Sequence, residues 1–266
     1  MIDLSADLGE GAPDEPEIWP LITSANVACG GHYGDVDSMT HAARRAKELG
    51  TKIGAHPSYP DRANFGRKSM TMPPDALRAT LIEQIAALRD IAGPLNHVKP
   101  HGALYNDAHK GRNLAEIVIE SIRSLDETLP IVCSDTSQMA TAARAAGTPV
   151  IREAFADRRY NPDGSLVARS EPGSLLSVDE AAAQAAMLAK EGAVIARNET
   201  RINVPFDTIC VHADMEHAVE RLRAIRKTIN PGRGDYTIER RDLFADLTME
   251  DLFKQLEEMS RTKKPL

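Results

Sequence analysis

Two hydrophobic periods alternate along this chain: short stretches in which apolar residues run together, and longer stretches of helical spacing. KIGAHP, HVKPHG, PIVCSD, VIREAFAD and FDTICVHAD are short runs of the kind that form parallel strands buried on both faces. Most of these runs close on histidine or acid: His32, His56, His101, Glu153 with Asp157, and His212 with Asp214, with Asp7 opening the series. Ionisable groups are costly to collect without a use. Their recurrence at successive strand ends points to an enzyme whose site lies at the C-terminal mouth of an α/β barrel.

The elements follow from the same pattern. IDLSADLG is a strand that places Asp3, Ser5 and Asp7 on its axial face and Ile2, Leu4 and Ala6 against the helices. SANVACG follows and ends in the glycine-rich turn GGHYGD, and a helix is predicted from Asp35 to Leu49 with Gly50 closing it. After KIGAHP and a long loop, Pro73 and Pro74 open a helix whose Leu77, Leu81, Ile85 and Leu88 form a core-facing stripe. HVKPHG precedes a helix near residues 112 to 124, and PIVCSD precedes one that carries Met139, Ala143 and Ala146 and ends at Gly147.

PVIREAFAD leads into a connection too long for a bare turn, with Asp163-Gly164 as a tight turn inside it, so the segment from Asp157 to Ser174 is expected to form a lid over the mouth. Ser177 and Glu180 form a capping box for the next helix. VIARNETRINV is a small inserted hairpin before the last strand, FDTICVHAD, whose helix should run from Asp214 to about Lys227, and Thr248 to Ser260 form a final helix. Seven strands, each followed by a helix, close most naturally into a parallel barrel of seven or eight strands, with a doubly wound open sheet as the alternative.

Length and composition fit one barrel domain over residues 1–266, because 42% hydrophobic residues in 266 can fill one large core and no linker or low-complexity tract interrupts it. The 39 acidic against 32 basic residues give a net charge of −7, which argues against nucleic-acid binding through a basic face. No signal peptide and no membrane-spanning run of roughly 20 apolar residues is legible, so a cytoplasmic location is expected. Cys29, Cys133 and Cys210 are too scattered for a disulfide framework and are expected as buried small hydrophobes.

Six segments, DLGEG, NVACGGHYGD, GAHPSYPD, HVKPHGALYN, EAFADRRY and ICVHAD, together resemble the LamB/YcsF family in order from about Ile2 to Ile229. The chain departs from the usual family wording at Gly9, at Gly31 and Tyr33 around His32, and at Ala213, all beside the presumed site. The resemblance implies a seven-stranded (β/α) barrel of polysaccharide-deacetylase type. It also implies a role as the A component of ATP-dependent 5-oxoprolinase, opening 5-oxo-L-proline to L-glutamate with ATP as co-substrate and 5-oxoprolinase subunits B and C as partners. No GxxxxGK(S/T) or kinase motif set is present, so this chain is not expected to be the sole ATP site.

Opening a lactam needs a base, an acid for the leaving nitrogen and donors for the oxyanion. Asp7, Lys99, His101 and His212 are the catalytic candidates, with His101 as the base because the Lys99 ammonium on the same strand face would keep its ring neutral. Glu10, Asn26, His32, His56, Asn106, Glu153, Asp157, Arg158 and Asp214 are the substrate-binding candidates. Among these, Asp7 and Glu10 orient histidine or bind the substrate amine, Asn26 and Asn106 hydrogen-bond the lactam, and Asp157, Arg158 and Tyr160 close over it. Arg158 suits the carboxylate of 5-oxoproline. A divalent metal has Asp7, His32, His56, His101 and His212 as candidate ligands, which leaves open a self-sufficient metal-dependent deacetylase or amidohydrolase. A third reading, a non-catalytic scaffold for the other subunits, leaves the strand-end ionisable groups without a use.

Overall fold

In the computed structural model of the chain, residues 1–13 and 15–230 are described. Seven strands form a closed barrel in the order β1 (Asp3–Leu8), β2 (Ser24–Ala28), β3 (Lys52–His56), β4 (His97–Val98), β5 (Ile131–Cys133), β6 (Val150–Phe155) and β9 (Thr208–Cys210), with every pairing parallel. Closure by β9 between β6 and β1 excludes the open doubly wound sheet. The inserted hairpin is present as the antiparallel pair β7 (Ala193–Ile195) and β8 (Arg201–Asn203).

The helices are α1 (Glu15–Ile18), α2 (Val36–Leu49), α3 (Pro74–Ala92), α4 (Gly102–Lys110), α5 (Arg112–Leu125), α6 (Gln138–Ala146), α7 (Val178–Glu191) and α8 (Ala218–Ile229). Local chemistry sets their ends as expected. Asp35 and Ser38 cap α2 reciprocally, and Gly50 closes it at φ 66°. Ser177 and Glu180 do the same for α7.

Three expectations need correction. α4 starts directly after His101, where the pattern predicts no helix, because its apolar face is short, resting on Ala103, Leu104, Tyr105 and Ala108 within a polar run. The helix α1 and the 3-10 turn Trp19–Leu21 after it are likewise additions to the predicted elements. α8 begins at Ala218 rather than Asp214, because Asp214 is held at the barrel mouth by arginines. The helix expected over Thr248 to Ser260 lies outside the described residues.

The strand parity read from the sequence holds, and it fills the barrel axis with polar groups in layers. At the bottom Asp3 accepts hydrogen bonds from Ser24 Oγ at 2.8 Å and Thr208 Oγ1 at 2.7 Å. Above it, His97 Nε2 donates to Asn26 Oδ1 at 2.7 Å and Asn26 Nδ2 donates to Asp7 Oδ1 at 2.9 Å. β3 makes room for this ring with Gly54, which pairs with His97 and at which any Cβ would collide with the imidazole.

His97 carries a consequence for acid stability. Burial lowers its pKa to about 4 from an ordinary value near 6.5. Between those values the unfolded chain binds a proton that the folded ring refuses, so stability falls as pH drops from 6.5 toward 4. The contribution of this ring is about 1.4 kcal/mol per pH unit. Urea midpoints measured across that window should therefore fall less steeply in His97→Asn than in the parent, and equal slopes would show that His97 is not the group responsible.

Candidate active site

The C-terminal ends of the strands open into a cavity of about 470 Å³. Asp7, Glu10, His56, Lys99, His101, Asn106, Glu153, Arg158, His212 and Asp214 line it, so ten of the thirteen residues expected from the sequence converge there. Their parts divide into three groups.

At the floor Lys99 is fully enclosed, with Nζ 2.8 Å from Asp7 Oδ1, 2.9 Å from Glu153 Oε1 and 3.0 Å from Cys210 Sγ. Burial alone would lower the ammonium and raise the Asp7 carboxyl. The Asp7 carboxylate nonetheless keeps Lys99 well above its ordinary value, and His56 and Lys99 hold Asp7 well below the carboxylate range. Asn26 is completely buried beneath this layer and positions Asp7, so it does not hydrogen-bond a substrate. His97, which no sequence argument singles out, sits behind it; it shares strand parity with Lys99 and His101, and that is the available signal.

Beside the floor lies a histidine cluster. His101 Nδ1 stands 2.9 Å from His56 Nε2, and the two other ring nitrogens face carbonyl oxygens, His56 Nδ1 to Lys99 O at 2.7 Å and His101 Nε2 to Phe65 O at 3.0 Å. A carbonyl only accepts, so those two nitrogens carry the protons of the neutral rings, and the nitrogens facing each other both present lone pairs. Contact between two lone pairs at hydrogen-bond distance calls for a cation between them, a proton or a metal ion. Glu10 Oε1 adds negative charge to the same point, 3.3 Å from His101 Nδ1 and 3.8 Å from His56 Nε2.

His32 stacks face to face on His101 at 3.6 Å and meets Glu10 Oε1 through Nε2 at 2.8 Å. Its ring is lowered to about 4 by burial. His101 is also lowered, first by burial and then by His56; the Lys99 ammonium, expected to do this, is spent on Asp7 and Glu153 instead.

Glu10, His32, His56 and His101 place one donor atom each within 4.8 Å of one another, a set suited to a divalent cation such as zinc. The cluster brings together three of the five expected ligands, His32, His56 and His101, and adds Glu10, with Asp7 Oδ2 3.3 Å from His56 Nε2 at its edge. His56 and His101 have the carbonyl partners that fix a ligating imidazole, whereas His32 Nδ1 is buried without one among the described residues, so His32 fits as the weakest donor. Titration of the purified chain with Co²⁺ should then give one visible-absorbing site per chain. His56→Ala and His101→Ala should each weaken it by about tenfold or more. Unchanged affinity in both variants would remove the cluster as a metal site and leave a shared proton.

The third group is a histidine and aspartate pair. Asp157 is fully buried and its Oδ2 accepts from both the backbone N–H of His212, at 2.8 Å, and the ring Nδ1–H, at 2.9 Å. Burial would raise Asp157, but His212 holds it at about 2. Asp157 therefore supports His212 from below and does not close over a ligand, contrary to the expectation from the sequence. With Nδ1 committed, His212 presents Nε2 to the cavity. Both ring nitrogens of His101 are engaged, so the geometry favours His212 over His101 as the group that exchanges a proton with a ligand.

The mouth is built by the long connection after β6. Residues from Gly164 to Arg169 line the cavity, and Gly164 adopts φ 82° in the expected turn. Arg169 Nη2 reaches Asp214 Oδ1 at 2.8 Å, and Arg67 from the loop after β3 pairs with the same carboxylate. Asp214 thus ties two loops together at the rim. Asn106 is exposed on α4 at the same rim. Among the described residues no helix is long and apolar enough to cross a membrane.

Comparison with known proteins agrees with this architecture. The lactam utilization protein from Thermus thermophilus is 38% identical over 86% of this chain and 96% of its own, with a TM-score of 0.81. A putative cellobiose-phosphate cleavage protein from Enterococcus faecalis, at 12% identity, a TM-score of 0.52 and coverage of 85% of this chain and 89% of its own, shares the fold alone. The family model described as LamB/YcsF matches residues 2–238, nearly the whole barrel sequence and every strand that feeds the cavity. The chain belongs to the LamB/YcsF family.

Proposed function

We propose that this protein is the lactam-opening A component of an ATP-dependent 5-oxoprolinase that converts 5-oxo-L-proline to L-glutamate together with subunits B and C. The observation that carries this reading is the His212–Asp157 pair, whose free Nε2 faces the cavity also lined by Glu10 and His101, in a relative of a lactam utilization protein.

A ring amide is a poor electrophile, and phosphorylation of its oxygen by ATP gives a reactive imidate phosphate. Water adds to the imidate carbon, one of its protons passing to His212 Nε2 and from there to the ring nitrogen; as the C–N bond breaks the adduct's hydroxyl proton also goes to nitrogen, giving the free amine and an acyl phosphate, and a second water releases phosphate and glutamate. The fate of the first adduct depends on where the proton goes. If nitrogen is protonated it leaves and the ring opens, whereas if phosphate leaves instead, the lactam is restored and ATP is wasted. Asp157 stabilises the imidazolium that forms in between. A divalent ion held by Glu10, His56 and His101 would supply Lewis acidity toward a ligand oxygen. The chain has no phosphate-cradling lysine motif, so the phosphoryl transfer is assigned to the partners.

The Glu10 and histidine cluster favours a second reading, an amidohydrolase that works with a metal and without ATP. Glutamate release from 5-oxoproline separates the two. The first reading expects turnover only when ATP and subunits B and C are all present. Turnover by the purified chain with a divalent metal and no ATP would replace it with the second.

A further inference from the structure

The charges lining the cavity pair off in all but one buried position. Lys99 is neutralised by Asp7 and Glu153, and Arg67 and Arg169 share Asp214. Arg158 is 7% exposed, lines the cavity, and has no carboxylate within ion-pair distance among the described residues. Among the described residues its guanidinium makes one hydrogen bond, from Nη2 to Val167 O at 2.7 Å, and Nε is buried with no partner. The neighbouring Asp157 gives Oδ2 to His212, and its Oδ1 is buried with no hydrogen-bond partner among the described residues; Asp157 and Asp214 favour the Arg158 charge through space without touching it.

A buried cation with no carboxylate in contact is unfavourable, and a planar guanidinium with unused donors matches a carboxylate held by two parallel hydrogen bonds. We infer that Arg158 is the anion-recognition residue of this cavity, and that it selects lactams bearing a carboxylate over neutral lactams. This rests on the lactam reading for the ring, while the anion site itself follows from Arg158 alone.

The position of Arg158 gives the selection a purpose. It follows Asp157 directly, so one short segment after β6 holds both the support of His212 and the anchor for the ligand's charge. Its one hydrogen bond runs to the loop that lines the mouth, so an anion seated on Arg158 would also order that loop through Val167.

Calorimetric titration of the purified full chain tests this with 5-oxo-L-proline, with 2-pyrrolidone as the same ring lacking the carboxylate, and with glutarate as an open-chain dicarboxylate. Arg158→Gln should weaken 5-oxoproline by about 30-fold or more while leaving 2-pyrrolidone where it is in the parent. Arg158→Lys, which keeps the charge and loses the fork, should recover part of the affinity, and unchanged circular dichroism in both variants shows that the barrel is intact. Binding of 5-oxoproline to Arg158→Gln within threefold of the parent overturns the inference. If the parent binds neither lactam but binds glutarate in an Arg158-dependent way, the anion site stands and the lactam reading fails. If the parent binds none of the three, the anion site is wrong as well.

Discussion

In the proposed 5-oxoprolinase, replacing Asp157 by asparagine should lower kcat by between about 10² and 10⁴, the range of general acid–base contributions lost when the carboxylate orienting the imidazole becomes an amide. The carboxylate has two tasks here. By accepting from the backbone N–H and the ring Nδ1–H of His212 with one oxygen, it fixes both the angle of the ring and its tautomer, which puts a lone pair on Nε2 facing the cavity. It also stabilises the imidazolium formed once that lone pair has taken a proton.

Asparagine is nearly isosteric, yet it loses the charge in either orientation, and with its amide nitrogen toward His212 it imposes the wrong tautomer. Proton delivery to the ring nitrogen should then falter, so the ratio of phosphate to glutamate released should rise as kcat falls. Co²⁺ affinity should be unchanged, because Asp157 is outside the set formed by Glu10 and the three histidines. A variant that keeps kcat within threefold, or loses glutamate and phosphate release in equal proportion with metal binding also lost, would show that Asp157 is structural.

Replacing Lys99 by methionine should destabilise the chain by about 3–5 kcal/mol, the range for breaking a buried ion pair by removing one partner. Methionine fills much of the lysine stem's volume, so a cavity is not the cause. The cause is two carboxylates, Asp7 and Glu153, left buried around a missing ammonium. Without the ammonium the buried Asp7 carboxyl, held low in the parent, should bind protons more readily, and a raised folded-state pKa contributes stability at low pH that is lost as pH rises through it. The deficit of Lys99→Met relative to the parent should therefore be larger at about pH 7 than at about pH 5. Adding Asp7→Asn and Glu153→Gln should recover a large part of it. Urea unfolding at both pH values measures this, and a loss under about 1 kcal/mol near neutral pH would mean that the cluster is solvated enough not to need its cation.

Much of this site can be read along single strands because a strand has a period of two. Parity alone puts Asp7, Lys99, His101, Glu153, His212 and Asp157 on inward faces, and the structure has them there. Parity is silent on who meets whom around the barrel. Asn26 reads as a ligand-binding residue in the sequence, but the β1–β2 register sets it opposite Asp7, and the pairing of Gly54 with His97 brings His97 up behind it. Lys99 and His101 are two residues apart on one face, a spacing that suggests the ammonium tunes the ring. The lysine instead spans to Asp7 on β1 and Glu153 on β6, a choice made by distances across the barrel.

Local rules suffice for the closed parallel barrel, the helix caps at Asp35 and Ser177, and the gathering of acids and histidines at one mouth. Those rules are hydrophobic period, capping chemistry, and the common direction of parallel strands, and each acts over a few neighbouring residues. The roles within the site emerge only when the barrel closes. Glu10 becomes the carboxylate of the histidine cluster, His212 the ring that turns Nε2 to the cavity, Asp157 its support and Arg158 the buried cation with no carboxylate in contact among the described residues. Each of those roles depends on which hydrogen-bond partners a group has left after folding, and those partners come from strands and loops far apart in the chain, such as Lys99 O for His56 and Phe65 O for His101.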